Sequence, residues 1–320
     1  MKETLSHPIP STERWTLSDM PTQRGRLAIV TGTGGLGFED ALALARAGSE
    51  VVVAGRSPER GAAAVATIRS QAPTATVRFE PVDLASLESI ARFGERLRSQ
   101  TDRLDLLVNN AGVMAPPRRQ ETRDGFELQF GVNHLGHFAL SAELMPLLRR
   151  AEGSRVVTLS SVAARQGELD FEDLQAERRY RPMPVYSRSK LACLMFALEL
   201  QRRSQAGGWG VTSLAAHPGI SRTELLYKGA GRVSFQGLMR TLLWFLFQPV
   251  AQGALPTLFA ATSPMARGGV YYGPARLGET RGGPVEAVVP ERAQDLVASA
   301  RLWEISERLT GVGFSPPSGR

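Results

Sequence analysis

Leu27-Ala28-Ile29-Val30 runs directly into Thr31-Gly32-Thr33-Gly34-Gly35-Leu36-Gly37. The first four residues are apolar and include Ile29 and Val30, which suits a short buried strand. The glycine-rich stretch reads as a turn. Leu36, Leu42, Leu44 and Ala45 then recur at helical spacing up to Gly48, a C-terminal cap. The same rhythm continues along the chain. Further strands are expected over 51–54, 76–79, 104–108, 155–159 and 211–215, with Ser57 and Pro58 capping a helix after the second. Helices are expected over 86–99, over most of 121–149 and over 184–206. Residues 220–262 read as apolar helices, 270–272 as a last strand, and 291–310 as a terminal helix with Leu296, Leu302, Ile305 and Leu309 on one side. This alternation predicts an α/β fold: one doubly wound, Rossmann-like parallel sheet with helices on both faces. The expected division is an N-terminal extension (1–24), a single dinucleotide-binding catalytic domain (25–310) and a short tail (311–320).

Composition narrows the function. Of 320 residues, 42% are hydrophobic and 22% charged, enough for a core and against a disordered or fibrous chain. The net charge of +7 comes from 38 basic and 31 acidic residues, of which only Lys2, Lys190 and Lys228 are lysines. The basic residues are scattered, so no nucleic-acid or polybasic membrane patch is expected. The lone Cys193 excludes an intramolecular disulfide and reads as a small buried hydrophobe. His7, His134, His137 and His217 form no HExxH grouping, so no metal site is expected. The longest apolar run, 242–247, is far short of the ~20 residues of a spanning helix. The first 25 residues contain no apolar stretch of signal-peptide length, so a cytoplasmic protein is expected.

Several residues point to chemistry. A glycine turn between a strand and a helix lets backbone approach a pyrophosphate, and the helix N-terminus offers amide donors. Strand two ends in Ala54-Gly55-Arg56. A carboxylate commonly stands at this strand end to hold the ribose of NAD, whereas the Arg56 guanidinium suits a 2′-phosphate, so NADP is expected over NAD. Tyr186 and Lys190 are four apart at the start of a helix, one turn apart on one face. A phenol titrating near ~10 carries protons poorly at neutral pH, and a neighbouring ammonium favours its phenolate. Ser160 and Ser161 end the fifth strand, and Asn109-Asn110-Ala111-Gly112 follows the fourth. Ligands bind at this edge of an open parallel sheet. Asn133 lies on the helix expected to flank it.

The order of these pieces resembles the short-chain dehydrogenase/reductase family over about residues 24–310. The resemblance is carried by NNAG at Asn109, NHLGHF at Asn133, SS at Ser160, YSRSK at Tyr186 and HPG at His217. NHLGHF and the gap from Ser161 to Tyr186 resemble the branch of retinol dehydrogenases, WW-domain oxidoreductases and light-dependent protochlorophyllide reductases. The resemblance implies that Tyr186 is general acid or base. Lys190 would assist it and hold the nicotinamide ribose. Ser161 would polarise the substrate oxygen, with Ser160 structural, and Asn133 would anchor a water linking Lys190 to solvent. It implies cofactor contacts from Gly32, Thr33, Gly35, Leu36, Gly37, Arg56, Asp83, Leu84, Asn109, Ala111, Gly112, Tyr186, Lys190, Pro218, Gly219, Ile220 and Thr223. The segment 220–247 would be a substrate lid, its apolar part 225–247 suiting an apolar substrate; packing or a dimer contact accounts for that part equally well.

One departure stands out. The family turn reads TGxxxGxG, and here it is one residue shorter. Either the extra Gly34 lets the tighter turn close, or dinucleotide binding is weakened. The expected function is an NADP(H)-dependent oxidoreductase that interconverts an alcohol and a carbonyl on an apolar small molecule. The alternative is a cofactor-sensing or scaffold protein on the same fold, against which the intact Asn133, Ser161, Tyr186 and Lys190 argue. The expected helices over 121–149 and 184–206 are apolar on more than one face, consistent with a homodimer or homotetramer and equally with burial inside one chain.

Overall fold

The computed structural model describes residues 12–220 and 248–314. In chain order the elements are β1 (Leu27–Thr31), α1 (Leu36–Arg46), β2 (Glu50–Gly55), α2 (Pro58–Gln71), β3 (Val77–Pro81), α3 (Leu87–Gln100) and β4 (Leu106–Asn109). Then come α4 (Leu128–Phe130), a π turn (Gly131–Leu135), α5 (Gly136–Leu148), β5 (Arg155–Leu159), a 3-10 turn (Val162–Gln166), α6 (Pro182–Ala206) and β6 (Thr212–Ala216). The chain continues with α7 (Val250–Gly253), α8 (Leu255–Thr262), β7 (Tyr271–Arg276), β8 (Arg281–Glu286), α9 (Glu291–Gln294) and α10 (Leu296–Thr310).

The strands form one sheet in the order β3-β2-β1-β4-β5-β6-β7-β8. Every adjacent pair is parallel except β7–β8. Because β1 pairs with both β2 and β4, the winding reverses there, and a crevice opens at the carboxyl ends of those strands. Alternate strand residues face opposite layers. Val30, Val53, Val108 and Val157 pack under Ala41, Leu44, Ile68 and Leu258 of α1, α2 and α8. Ile29, Val52, Leu107 and Val156 pack under Phe93, Leu97, Phe138, Phe196 and Leu200 of α3, α5 and α6. The expected doubly wound sheet is therefore the observed one.

Three elements differ from expectation. Within the stretch expected to be mostly helical, 121–149, the helix begins only at Leu128, because both carboxylate oxygens of Glu127 cap it, accepting from the Gln129 and Phe130 amides at 3.0 and 2.7 Å. The helix expected from 184 begins at Pro182, a residue suited to a first helical position. β8 was not expected: Arg281-Gly282-Gly283-Pro284-Val285-Glu286 has no apolar alternation, yet it pairs as an edge strand, where proline is tolerated.

The described lead-in, 12–24, makes two 3-10 turns and buries Trp15 against Phe259, ring centroids 5.5 Å apart. The apolar second faces of α5 and α6 are covered within the chain. Trp303 of α10 lies 5.0 Å from Phe138 and 5.9 Å from Phe196, and Phe314 closes over all three rings. Among the described residues no helix is long and apolar enough to cross a membrane, and no cluster of metal ligands occurs. Thr223 and nearly all of the expected lid, 221–247, lie outside the described residues.

Candidate active site

Five strand ends converge at one edge of the sheet: Thr31, Gly55, Asn109, Leu159 and Ala216. The glycine turn leaves β1 there. Gly32 (φ 104°) and Gly35 (φ 56°) take positive φ, while Gly34 does not. The shortened turn therefore closes through Gly32 and Gly35 and makes no such demand on Gly34, contrary to the expectation for that residue. Gly35 caps α1 without a side-chain hydrogen bond, so the first amides of this helix have no capping oxygen. Gly37 packs against Asn110, whose Nδ2 donates to the Thr31 carbonyl at 2.7 Å. A bare helix N-terminus beside a glycine turn at the switch point fits a dinucleotide pyrophosphate.

Thr31 organises this wall. Its hydroxyl oxygen accepts the Asn110 and Ala111 amides, both at 2.9 Å, and lies 2.9 Å from His137 Nε2. His137 Nδ1 is 3.0 Å from the Asn133 carbonyl, which can only accept, so the proton sits on Nδ1 and Nε2 accepts from Thr31. Burial holds His137 neutral, pulling its pKa down to about 4. His134 is likewise buried and pulled down to about 3; its Nε2 reaches Ser306 Oγ at 2.8 Å. Neither histidine, nor Thr31, stands out for this role in the sequence, because Thr31 lies 106 residues from His137 and His134 lies 172 from Ser306.

Asn133 sits in the π turn, a local widening often found at functional sites. Its amide binds both backbone groups of Val113, at 2.8 and 2.9 Å, and Ser189 Oγ at 2.9 Å. Its carbonyl also accepts from Cys193 Sγ at 3.1 Å, so Cys193 is buried in the support of the site. Lys190 is 5% exposed, and its Nζ donates to the Leu159 carbonyl at 2.9 Å. Ser160 Oγ donates to the Lys190 carbonyl at 2.7 Å, tying α6 to the end of β5. A Cβ placed on Gly112 would lie 3.0 Å from Asn133 Oδ1 and 3.7 Å from Lys190 Nζ, so the three positions border one small space.

Tyr186, 6% exposed, stands one turn before Lys190 on α6. Ser161 caps the 3-10 turn, accepting from the Ala163 amide at 3.2 Å, and its carbonyl accepts from Tyr271 Oη at 3.2 Å. Burial pushes the Tyr271 phenol far up, so this second tyrosine at the site keeps its proton. Pro218, Gly219 and Ile220 follow β6 at the same edge and are part-exposed.

The remaining expected contacts vary in placement. Asp83 is part-exposed, its Oδ1 accepting from the Ala85 amide at 3.1 Å, and Leu84 is buried. Asn109 is turned inward, donating to Ser141 Oγ at 3.0 Å. Arg56 is exposed at the start of the turn after β2. Thr33 Cγ2 lies 2.8 Å from where a Gly55 Cβ would be, and Arg60 Nη2 lies 3.5 Å from the corresponding point on Gly34. Arg60 thus stands over the short turn, a placement the sequence reading missed.

A sequence model described as short chain dehydrogenase matches residues 26–230. Mouse polyprenol dehydrogenase is 42% identical over 307 residues, covering 94% of this chain and 88% of its own. Human retinol dehydrogenase 13 is 39% identical over 302 residues, covering 92% and 87%. A crystal structure of an uncharacterised protein from Mycobacterium paratuberculosis has a TM-score of 0.78 at 38% identity, over 94% of this chain and 99% of that one. The NADP complex of Pseudomonas aeruginosa RhlG, at 23% identity and TM-score 0.63 over 78% and 94%, shares the fold. The chain therefore belongs to the short-chain dehydrogenase family, in its retinol dehydrogenase-like branch, and is an oxidoreductase of the class acting on CH–OH groups.

Proposed function

We propose that this enzyme interconverts an apolar alcohol and its carbonyl compound with NADP(H) as the partner. The carrying observation is the convergence of Lys190, Asn133 and Gly112 on one space at the sheet edge, with Tyr186 one turn away on the same helix. When bound, the dinucleotide supplies or takes up the hydride. In the reductive direction the Tyr186 hydroxyl gives its proton to the substrate oxygen, and in oxidation it accepts one. The Lys190 ammonium favours the phenolate left behind. Ser161 donates a hydrogen bond to the same oxygen as charge builds on it, an interaction strongest in the transition state. Asn133 ties the loop after β4, at Val113, to α6 through three side-chain amide hydrogen bonds.

Gly32, Gly35, Leu36 and Gly37 hold the pyrophosphate on this reading, with Ala111, Gly112 and 218–220 along the nicotinamide half. Asp83 and Leu84 line the adenine side. The 2′-phosphate preference rests on Arg56 standing where a ribose-binding carboxylate would exclude it. Substrate class rests on the relatives, two of which are named for retinol and polyprenol, both apolar alcohols. The test is titration with NADPH and NADH by nicotinamide fluorescence, followed by turnover on retinal and on straight-chain aldehydes. Tighter NADPH binding with turnover on these aldehydes is expected; binding of neither nucleotide would refute the reading.

A further inference from the structure

The β7–β8 turn holds a run of residues in the left-handed region: Leu277 (φ 51°), Gly278 (φ 66°) and Glu279 (φ 66°). Leucine and glutamate rarely adopt this conformation, and such residues persist where their surroundings hold them. Glu279 is held from three sides. Its Oε2 lies 3.0 Å from His217 Nε2 and 2.6 Å from Arg165 Nη2, and its Oε1 accepts the Val288 amide at 2.9 Å. His217 is fully buried, and its Nδ1 accepts the Gly219 amide at 3.2 Å. An amide N–H can only donate, so Nδ1 is bare and the ring proton lies on Nε2, pointing at Glu279. Arg165 belongs to the 3-10 turn that Ser161 caps, and also donates to the Gly278 carbonyl at 3.3 Å. The Ile220 amide donates to the Thr280 carbonyl at 2.9 Å. Gln248 bridges the Pro218 carbonyl, at 2.6 Å, to the Gly282 amide, at 3.2 Å.

We propose that His217 is a positioning residue: neutral and protonated on Nε2, it works with Glu279 and Arg165 to lock the 218–220 loop and the Ser161 turn onto the β7–β8 hairpin. The lock would thereby fix the distance between the nicotinamide-side loop and the hydroxyl that meets the substrate oxygen. That consequence rests on the functional reading above, whereas the lock itself does not. Among the described residues, the ionisable groups facing His217 are Glu279 from the hairpin, Arg165 from the 3-10 turn and Tyr271 from β7. Burial keeps the ring neutral, against the pull of Glu279. A second proton would have to enter at Nδ1, opposite the Gly219 N–H, and would eject that hydrogen bond. The lock is therefore closed at neutral pH and opens only on acidification below the ordinary histidine range.

The experiment compares the wild type with Glu279→Gln and His217→Asn. A carboxamide oxygen cannot serve all three donors at Glu279. Asn keeps an acceptor for Gly219 but does not reach the hairpin. Amide hydrogen exchange at Gly219 and Ile220 is expected to speed up about ten-fold in both variants, as for loss of one charge-assisted hydrogen bond. Strand amides of β1 and β4 are expected to be unchanged. Binding of NADPH is expected to weaken by a similar factor, while binding of 2′,5′-ADP, which lacks the nicotinamide half, stays constant; general destabilisation would move both. Unchanged protection at Gly219 and Ile220 in Glu279→Gln overturns the lock. Faster exchange in a protein that binds neither NADPH nor 2′,5′-ADP upholds the lock and refutes the functional reading instead.

Discussion

Replacing Gly37 by alanine tests the cradle at its tightest point. A Cβ there would lie 2.8 Å from the Gly32 carbonyl and 3.1 Å from the Thr31 carbonyl, and closer still to Asn110 Nδ2. Two of these neighbours are backbone and cannot swing away. The third is held by its 2.7 Å bond to Thr31. Overpacking of this kind costs about 1–3 kcal/mol, and loss of the Asn110 bond about 1 kcal/mol more. The gain from alanine within a helix is at most about 1 kcal/mol, so the net loss is about 2 kcal/mol. At roughly 2 °C per kcal/mol for a domain of this size, the melting temperature falls by about 4 °C. Gly34→Ala is the control: its nearest foreign atom is the mobile end of Arg60 at 3.5 Å, and its φ is not positive. The assay is urea unfolding of the three proteins, with NADPH titration alongside. Gly37→Ala should lose stability and nucleotide affinity, and Gly34→Ala should stay within about 0.5 kcal/mol of the parent. Equal behaviour of the two variants would refute the reasoning.

Acid should weaken the fold earlier than carboxylates alone would. His134 and His137 are held near 3 and 4, below the unfolded value near 6.5, so the unfolded chain takes up protons first as pH falls. Stability is unaffected by them above about pH 6.5, then drops by about 1.4 kcal/mol per pH unit for each ring. Urea unfolding between pH 7 and pH 5 measures this, and a flat profile would contradict it. Asp40 has the opposite sign. It is fully buried with neither carboxylate oxygen hydrogen-bonded, and burial, with Glu39 adding, pushes its carboxyl well up. The folded chain thus keeps a proton that the unfolded chain has released, and this costs more as pH rises above about 4. Asp40→Asn is expected to melt higher than the parent at pH 8, with the gap narrowing toward pH 5; a gap that ignores pH would rule this out.

Much of the candidate site was legible because the residues that compose it are grouped locally in sequence. The strand–glycine–helix succession at Leu27–Thr31, the four-residue step from Tyr186 to Lys190 and the polar runs at strand ends need no long-range information. What escaped was what depends on partners far away. Thr31 at the end of β1 meets His137 of α5, far along the chain. Glu127 starts a helix by capping it with a carboxylate, outside the usual Ser, Thr, Asp and Asn signals. β8 carries two glycines and a proline, and becomes a strand only because β7 lies alongside it. That hairpin then supplies Glu279, Thr280 and the grip on the 218–220 loop. Gly34 drew attention by its place in a shortened motif, yet the backbone spends its unusual dihedrals on Gly32 and Gly35.

On the proposed function, Tyr186 moves the proton while the rest of the site holds the cofactor and substrate. The direct measurement is Tyr186→Phe, followed by NADPH binding and single-turnover reduction of retinal on the same sample. NADPH affinity within about two-fold of the parent is expected, with a rate reduced at least ~10²-fold, the usual contribution of a general acid. Reduction at the parent rate by a folded, NADPH-binding Tyr186→Phe protein would contradict it.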